Sequence, residues 1–446
     1  MRDLRNAGII PLTTTTSRRT LVAGSASAAI ASALARYGEA VAQDATPAVA
    51  TPLAQGEAQL EIFSWWTTAG EAAGLDELFK AFAAANPDVE IVNAAVAGGA
   101  GTNAQVALQT RLSANQPPDS WQSHPGKELF ARYVEPGYTD TVTALFDEQG
   151  WNDTFPQGVI DQVTFDGEKY LVPVGVHRGN VMFYNKEVLA DNGIEVTDDW
   201  SMDDYFAAAD TLAAAGIPSY AMGSKDTFAV VQLFENTLLA NLGPDDYAKV
   251  WNGELGWDDE RVTTSIENLA RYFDSVNEDH PALTWDGAMD LVYDGKAAFQ
   301  SMGDWAYGDA LGKQKQDAIG WVNHPGTGGS FVSVIDGFTM PKNAPHPVNA
   351  RNWLISAGSA EAQAAFAPFK GAIPARTDVD SSGFNEYMQW SSEAFSADSV
   401  VPSLAHGAAG SPQFLTSVNE AIVTFIVDKD VATFQEALQF AAEDEA

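Results

Sequence analysis

Residues 59–71, QLEIFSWWTTAGE, constrain the fold of this chain more than any other stretch. An apolar strand pattern from Leu60 to Phe63 ends abruptly in two tryptophans, two threonines, a glycine and a carboxylate. A helical pattern follows at once, with Leu75, Leu78, Phe79 and Phe82 at i, i+3, i+4 and i+7. Asn86-Pro87-Asp88 stops it, and residues 89–93, VEIVN, have the pattern of a second strand. This is the first βα unit of an open α/β sheet, a fold that binds ligands beyond the carboxyl ends of its strands. Aromatic faces, small hydroxyls and one acid at that point suit a flat, hydroxylated ligand.

A chain of 446 residues has room for two domains, and 12 Trp with 23 Phe supply large cores. The formal charge of −36, from 60 acids against 24 bases, repels phosphate backbones and anionic lipid, which excludes nucleic acid as a partner class. Without cysteine there are no disulfides, no thiol catalysis and no acyl anchor through a cysteine. The six histidines, at 124, 177, 280, 324, 346 and 406, show no paired metal-ligand spacing, so no metal or other cofactor is expected. Arg18-Arg19 before the mild apolar run 21–35, with Ala40-Val41-Ala42 behind it, predicts an export signal over 1–42 of the twin-arginine kind. An export translocase would then be a partner, and the product a soluble periplasmic or extracellular protein without a lipid anchor. Residues 43–57 have linker composition.

Further loops carry candidate ligand groups. The glycine-rich loop 97–103 lacks the Lys-Ser/Thr of a phosphate loop. Gln122, His124 and Lys127 lie where a short strand passes into a helix. His177 and Asn180 fall in the long extended segment 169–186, whose glycines at 175 and 179 punctuate it like a crossing between lobes. Met202 to Leu212 has a helical pattern capped by Ser201. Asp304 and Trp305 end a short strand, Asp336 sits in the extended run 330–341, and Lys370 and His406 stand in loops. Each has a plainer structural reading: Glu71 opens a helix, where the macrodipole alone favours an acid, and Asp304 or Asp336 could brace a hinge. Since neighbouring strand residues face opposite ways, one of Trp65 and Trp66 could serve the core.

Five segments, 62–71, 165–174, 183–189, 294–305 and 370–376, occur in the order found in one family. Over residues 58–440 the chain resembles bacterial extracellular solute-binding proteins of sugar-importing ABC transporters. Trp65-Trp66 with Glu71, and His406, look most like the glucose/mannose-type binders. The resemblance implies a two-lobed periplasmic-binding-protein fold of type II. Each lobe would be an open, mainly parallel α/β sheet flanked by helices, with the ligand in the cleft at the hinge. It puts residues 58–176 and 302–336 in lobe 1 and 177–301 and 337–446 in lobe 2, with crossings near 175–179, 302–305 and 336–338. It also implies a monomer that closes on a sugar and docks on the permease subunits of an ABC importer. The ligand set would be Trp65, Trp66, Glu71, Gln122, His124, Lys127, His177, Asn180, Asp304, Trp305, Asp336, Lys370 and His406, with Trp66 favoured over Trp65 as the plate. The competing expectation is a secreted glycoside hydrolase using Glu71 and Asp304, which needs two carboxylates about 5–10 Å apart across the scissile bond.

Overall fold

The first βα unit forms as its pattern dictates. In the computed structural model, which describes residues 58–98 and 101–443, β1 (Gln59–Phe63) is buried from Leu60 onward. The export signal and linker expected before residue 58 lie outside the described residues. α1 (Ala69–Ala85) buries Leu75, Leu78 and Phe82, and β1 pairs in parallel with β2 (Glu90–Asn93) and β3 (Ser120–Ser123). The long extended segment becomes β4 (Val172–Arg178) and β5 (Val181–Asn185). Then come α2 (Phe228–Trp251), α3 (Trp285–Tyr293), β6 (Phe299–Met302), α4 (Trp305–Gly312) and β7 (Ile319–Asn323). The chain continues through β8 (Ser330–Phe338), α5 (Ala360–Lys370), α6 (Glu386–Ala397) and β9 (Ser399–Pro402), and further helices complete it.

Two hydrophobic cores define the lobes. Leu60, Ile62, Phe82, Trp121, Val174, Trp353 and Phe366 belong to the first. Phe183, Tyr205, Val230, Phe299, Ile319, Tyr387 and Phe414 belong to the second. β8 runs between them with strand alternation: Phe331 and Ile335 enter the first core, Val332 and Val334 the second. It pairs antiparallel with β4 from Ser333–Arg178 to Phe338–Val172, and the register shifts between Asp336 and Gly337. Such an irregularity re-aims a side chain, here a carboxylate at the lobe boundary.

The expected lobe boundaries are corrected after residue 301. Residues 302–322 stay with the second core because β6 and β7 both pair with β5, one on each side. The chain returns to the first core at the end of β8, and Phe338, Trp353, Phe366 and Ala375 all pack there. The third crossing falls between Ala375 and Tyr387, not at 302–305. The sheets also differ from the mainly parallel expectation. The first is mixed, since β8 runs antiparallel to β3, and the second lobe's three-stranded sheet β7-β5-β6 is antiparallel throughout. Among the described residues no helix is long and apolar enough to cross a membrane.

Candidate ligand-binding cleft

A cavity of about 400 Å³ opens between the lobes. β1 ends at Phe63, so Trp65 to Thr68 leave the sheet and turn into α1 along one wall, with Glu71 in the first helical turn. His124, just past β3, and Lys370, the last residue of α5, join them from the first lobe. The second lobe contributes Asp226 and Phe228 at the start of α2, Trp285 and Asp286 at the start of α3, and Trp305 with Asp309 on α4. Asp336, on the strand shared by both lobes, and His406 complete the lining named here.

Asp336 is the electrostatic centre. His177 Nε2 lies 3.0 Å from one carboxylate oxygen, and Gln122 Nε2 donates to the other at 2.9 Å. His124 Nε2 is 3.4 Å away and Lys370 Nζ 3.9 Å. Burial pushes the Asp336 carboxyl upward, but the hydrogen bonds from His124 and His177 and the Lys370 charge outweigh it and hold it well below 3.8. His177 is held neutral, first by burial and then by the Lys370 charge, so it meets Asp336 as an Nε2–H donor. Lys370 also donates to Glu71 at 3.0 Å and stands 5.4 and 5.8 Å from the ring centroids of Trp66 and Trp305. The corner therefore presents matched charges, and a ligand hydroxyl can both donate and accept there.

Aromatic surface faces this corner. Trp65 is half-buried and meets His124 edge-on at 5.2 Å. The His406 ring lies 5.1 Å from Trp305, 5.3 Å from Phe228 and 5.2 Å from His124. Burial holds its pKa well below 6.5, so it enters the cleft uncharged.

The expected ligand set divides on these contacts. Trp65, Glu71, His124, Trp305, Asp336, Lys370 and His406 come together around the cavity. Gln122 and His177 stand behind Asp336 and hold it; Gln122 also accepts from the Trp65 backbone N–H at 3.2 Å. Trp66, favoured as the plate, borders the cavity as a ring only 1% exposed and packs against Phe338 and Phe366 at 5.7 and 5.2 Å. Of the two tryptophans, Trp66 is therefore the core ring and Trp65 the half-buried one with a face on the cavity, because β1 ends at Phe63 and the second ring turns inward.

Three further candidates are corrected. Lys127 is exposed and reaches the Trp251 carbonyl at 3.4 Å, outside the cavity. Asn180 is buried and donates to Thr327 Oγ1 and the Ser330 carbonyl at 3.0 and 2.9 Å, holding the β4–β8 junction. Asp304 does not border the cavity. It accepts from the Arg178 backbone N–H at 2.9 Å, from Ser391 Oγ at 3.4 Å and from the Tyr387 hydroxyl. That ties β4, the β6–α4 turn and α6 together across the hinge. Burial raises its pKa to about 7, against the opposing pull of those donors. Only glycine fits at 371: φ is +80°, and a Cβ there would collide with the Asp304 carbonyl oxygen.

Sequence reasoning missed Asp226, Phe228, Trp285, Asp286, Asp309 and Lys313 in the lining. Two signals were available: an acid beside an aromatic ring just before α2 begins and again in the first turn of α3. Asp309 and Lys313, paired at 2.9 Å across one helical turn, look in sequence like any solvated i,i+4 pair.

Two α/β lobes, three crossings and a ligand-sized cavity at the hinge define a cleft-type binding protein. The chain belongs to the bacterial extracellular solute-binding protein family, whose model matches residues 65–364. An uncharacterised ABC transporter extracellular-binding protein of Pyrococcus horikoshii is 35% identical over 388 residues, covering 86% of this chain and 88% of that one. A probable sugar-binding periplasmic protein of Brucella melitensis is 30% identical over 402 residues, covering 88% and 91%. The solved structure of the bacterial solute receptor AcbH, described as preferring β-D-galactopyranose, superposes with a TM-score of 0.77 at 20% identity. It covers 87% of this chain and 98% of its own, and shares the two-lobed fold.

Proposed function

We infer that this protein captures a mono- or small oligosaccharide, with a glucose- or mannose-like ring favoured, and delivers it by hinge closure to the permease of an ABC importer. The reading rests on one observation: the cavity joins aromatic faces at Trp65, Phe228 and Trp305 to the charged corner of Asp336, Lys370 and Glu71. Sugars need both, since their C–H faces stack on rings while their hydroxyls require donors and acceptors shielded from water. A volume of about 400 Å³ is near the small end of small-molecule sites, which favours one or two rings over a long chain. The names of the Brucella and Pyrococcus relatives, a sugar-binding protein and an ABC transporter binding protein, support the same reading. The protein acts as an exported, soluble monomer.

The hydrolase reading loses its acid pair. Glu71 is engaged by Lys370 and Asp304 lies outside the cavity, so the two do not straddle a bound sugar.

Calorimetric titration with glucose, mannose, galactose, xylose and maltose tests the proposal. At least one should bind with a micromolar Kd, which is about −8 kcal/mol. Trp65→Ala should weaken that binding about tenfold or more and leave the urea midpoint unchanged. Trp66→Ala should instead destabilise the fold by about 3–5 kcal/mol. No binding by any of the five sugars, or wild-type affinity in Trp65→Ala, defeats the reading.

A further inference from the structure

Glu235 lies in α2, fully buried in the second lobe, and has no part in the cleft described above. All its hydrogen bonds go to one short loop, residues 403–405. Ser403 Oγ is 3.0 Å from both carboxylate oxygens, and the backbone N–H groups of Leu404 and Ala405 donate to Oε2 at 2.6 and 3.0 Å. The same Ser403 Oγ lies 2.8 Å from His406 Nδ1 and 3.2 Å from the His406 backbone nitrogen.

Proton counting decides the directions. Burial raises the Glu235 carboxyl to about 7, so above that pH it is ionised and only accepts, while a hydroxyl has one proton and two lone pairs. Ser403 must therefore donate to Glu235, which leaves its lone pairs for two donors. One is the His406 backbone N–H, so the other is Nδ1–H. Burial keeps the His406 ring neutral, and a neutral imidazole carries one proton. Nε2 is then bare on a ring that borders the cavity.

The geometry points to Glu235, acting through Ser403, as a positioning residue that locks His406 in its Nδ1–H tautomer, so that Nε2 accepts a proton donor of the ligand. With the sugar reading above, on which this half of the inference rests, that donor is a sugar hydroxyl. The cleft thus selects for a hydroxyl that donates toward His406 while Asp336 and Glu71 accept from others. The tautomer itself is a property of the empty protein and does not depend on what is bound.

The test is nitrogen-15 NMR of the imidazole groups in the full chain without ligand, at about pH 8.5 so that Glu235 is ionised. The His406 signals are identified by their loss in His406→Asn. Wild type should show Nδ1 protonated and Nε2 bare. In Glu235→Gln the side-chain amide replaces one carboxylate oxygen and donates to Ser403 Oγ. The hydroxyl proton then turns to His406 Nδ1, and the ring proton moves to Nε2. That reversal should accompany about a tenfold loss of sugar affinity, the scale of one hydrogen bond turned from favourable to opposed. If Glu235→Gln does not fold, Ser403→Ala serves. It leaves Glu235 its two backbone donors and frees Nδ1, so both tautomers should appear. Nε2–H in wild type, or an unchanged tautomer in the variants, overturns the lock. A reversed tautomer with undiminished sugar affinity overturns the acceptor role. Failure of wild type to bind any sugar defeats the sugar reading alone and leaves the tautomer result standing.

Discussion

Asp336 and Asp304 are two buried aspartates at the boundary between the lobes, and they are chemically opposite. Around Asp336 stand two histidines, a lysine and a glutamine amide, and its carboxyl is held well below 3.8. Around Asp304 stand hydroxyls and a backbone N–H, with Arg178 acting as a nearby charge, and burial raises it to about 7. The first borders the cavity and the second pins the hinge. Burial alone therefore says little about a carboxylate: a cation and imidazole donors keep one ionised and available to a ligand, while neutral donors leave the other poised to hold a proton.

The largest expected effect separates the two by substitution. Asp336→Asn leaves Lys370 with Glu71 alone as its charge partner and removes the charged acceptor that His177, His124 and Gln122 share. It should cost about 3–5 kcal/mol in urea unfolding and abolish sugar binding in calorimetry. A loss below about 1 kcal/mol with binding retained would remove Asp336 from the centre of the site.

Next in size is Asp304→Asn. An amide oxygen still accepts from Arg178 N–H, but one oxygen acceptor is lost, so the fold should weaken by about 1–3 kcal/mol. Sugar affinity should stay within about threefold of wild type, a shift of less than about 1 kcal/mol. An affinity loss exceeding the loss of stability would return Asp304 to the ligand shell and erase the contrast.

The smallest effect is the most diagnostic, because its sign differs. Folded Asp304 holds a proton between its ordinary value of 3.8 and about 7 that the unfolded chain has released. The stability this proton gives is complete below about pH 4 and is lost as pH rises through about 7. Asp336 works the other way: its contribution is present above the ordinary carboxylate value and disappears as pH falls through its depressed one. Urea midpoints from about pH 4 to 8 should show wild type losing ground to Asp304→Asn on alkalinisation. Extending the series below about pH 4 should close the gap between wild type and Asp336→Asn. Parallel slopes would mean that the two carboxyls share one environment.

Local pattern carried much of this in the sequence. The first βα unit formed as its period and its Asn-Pro-Asp stop require. Ser201 caps its helix in a reciprocal box with Asp204, Ser201 Oγ accepting at 3.1 Å and Asp204 at 3.0 Å. The crossings near 175–179 and 336–338 were visible as breaks in extended runs: β4 packs in the first core and β5 in the second, and β8 contributes to both. The crossing expected at 302–305 failed for a physical reason: whether a strand changes lobe depends on which strand it pairs with, and β6 pairs with β5. Asp226 and Asp286 went unnoticed because an acid just before a helix or in its first turn has a sufficient local explanation.

Residue type and spacing therefore determined the elements, their order and a store of aromatic and acidic side chains suited to a hydroxylated ligand. Which of them meet a ligand was decided by partners far away in the chain. Gln122 and Asp336 are 214 residues apart, and Glu71 and Lys370 are 299 apart. No local period reports on such pairs. For the Trp65-Trp66 pair that opens the fold, sequence supplied two rings on opposite sides of a backbone. Only the packing of Phe338 and Phe366 from later crossings fixed Trp66 in the core and left Trp65 with a face toward the cleft.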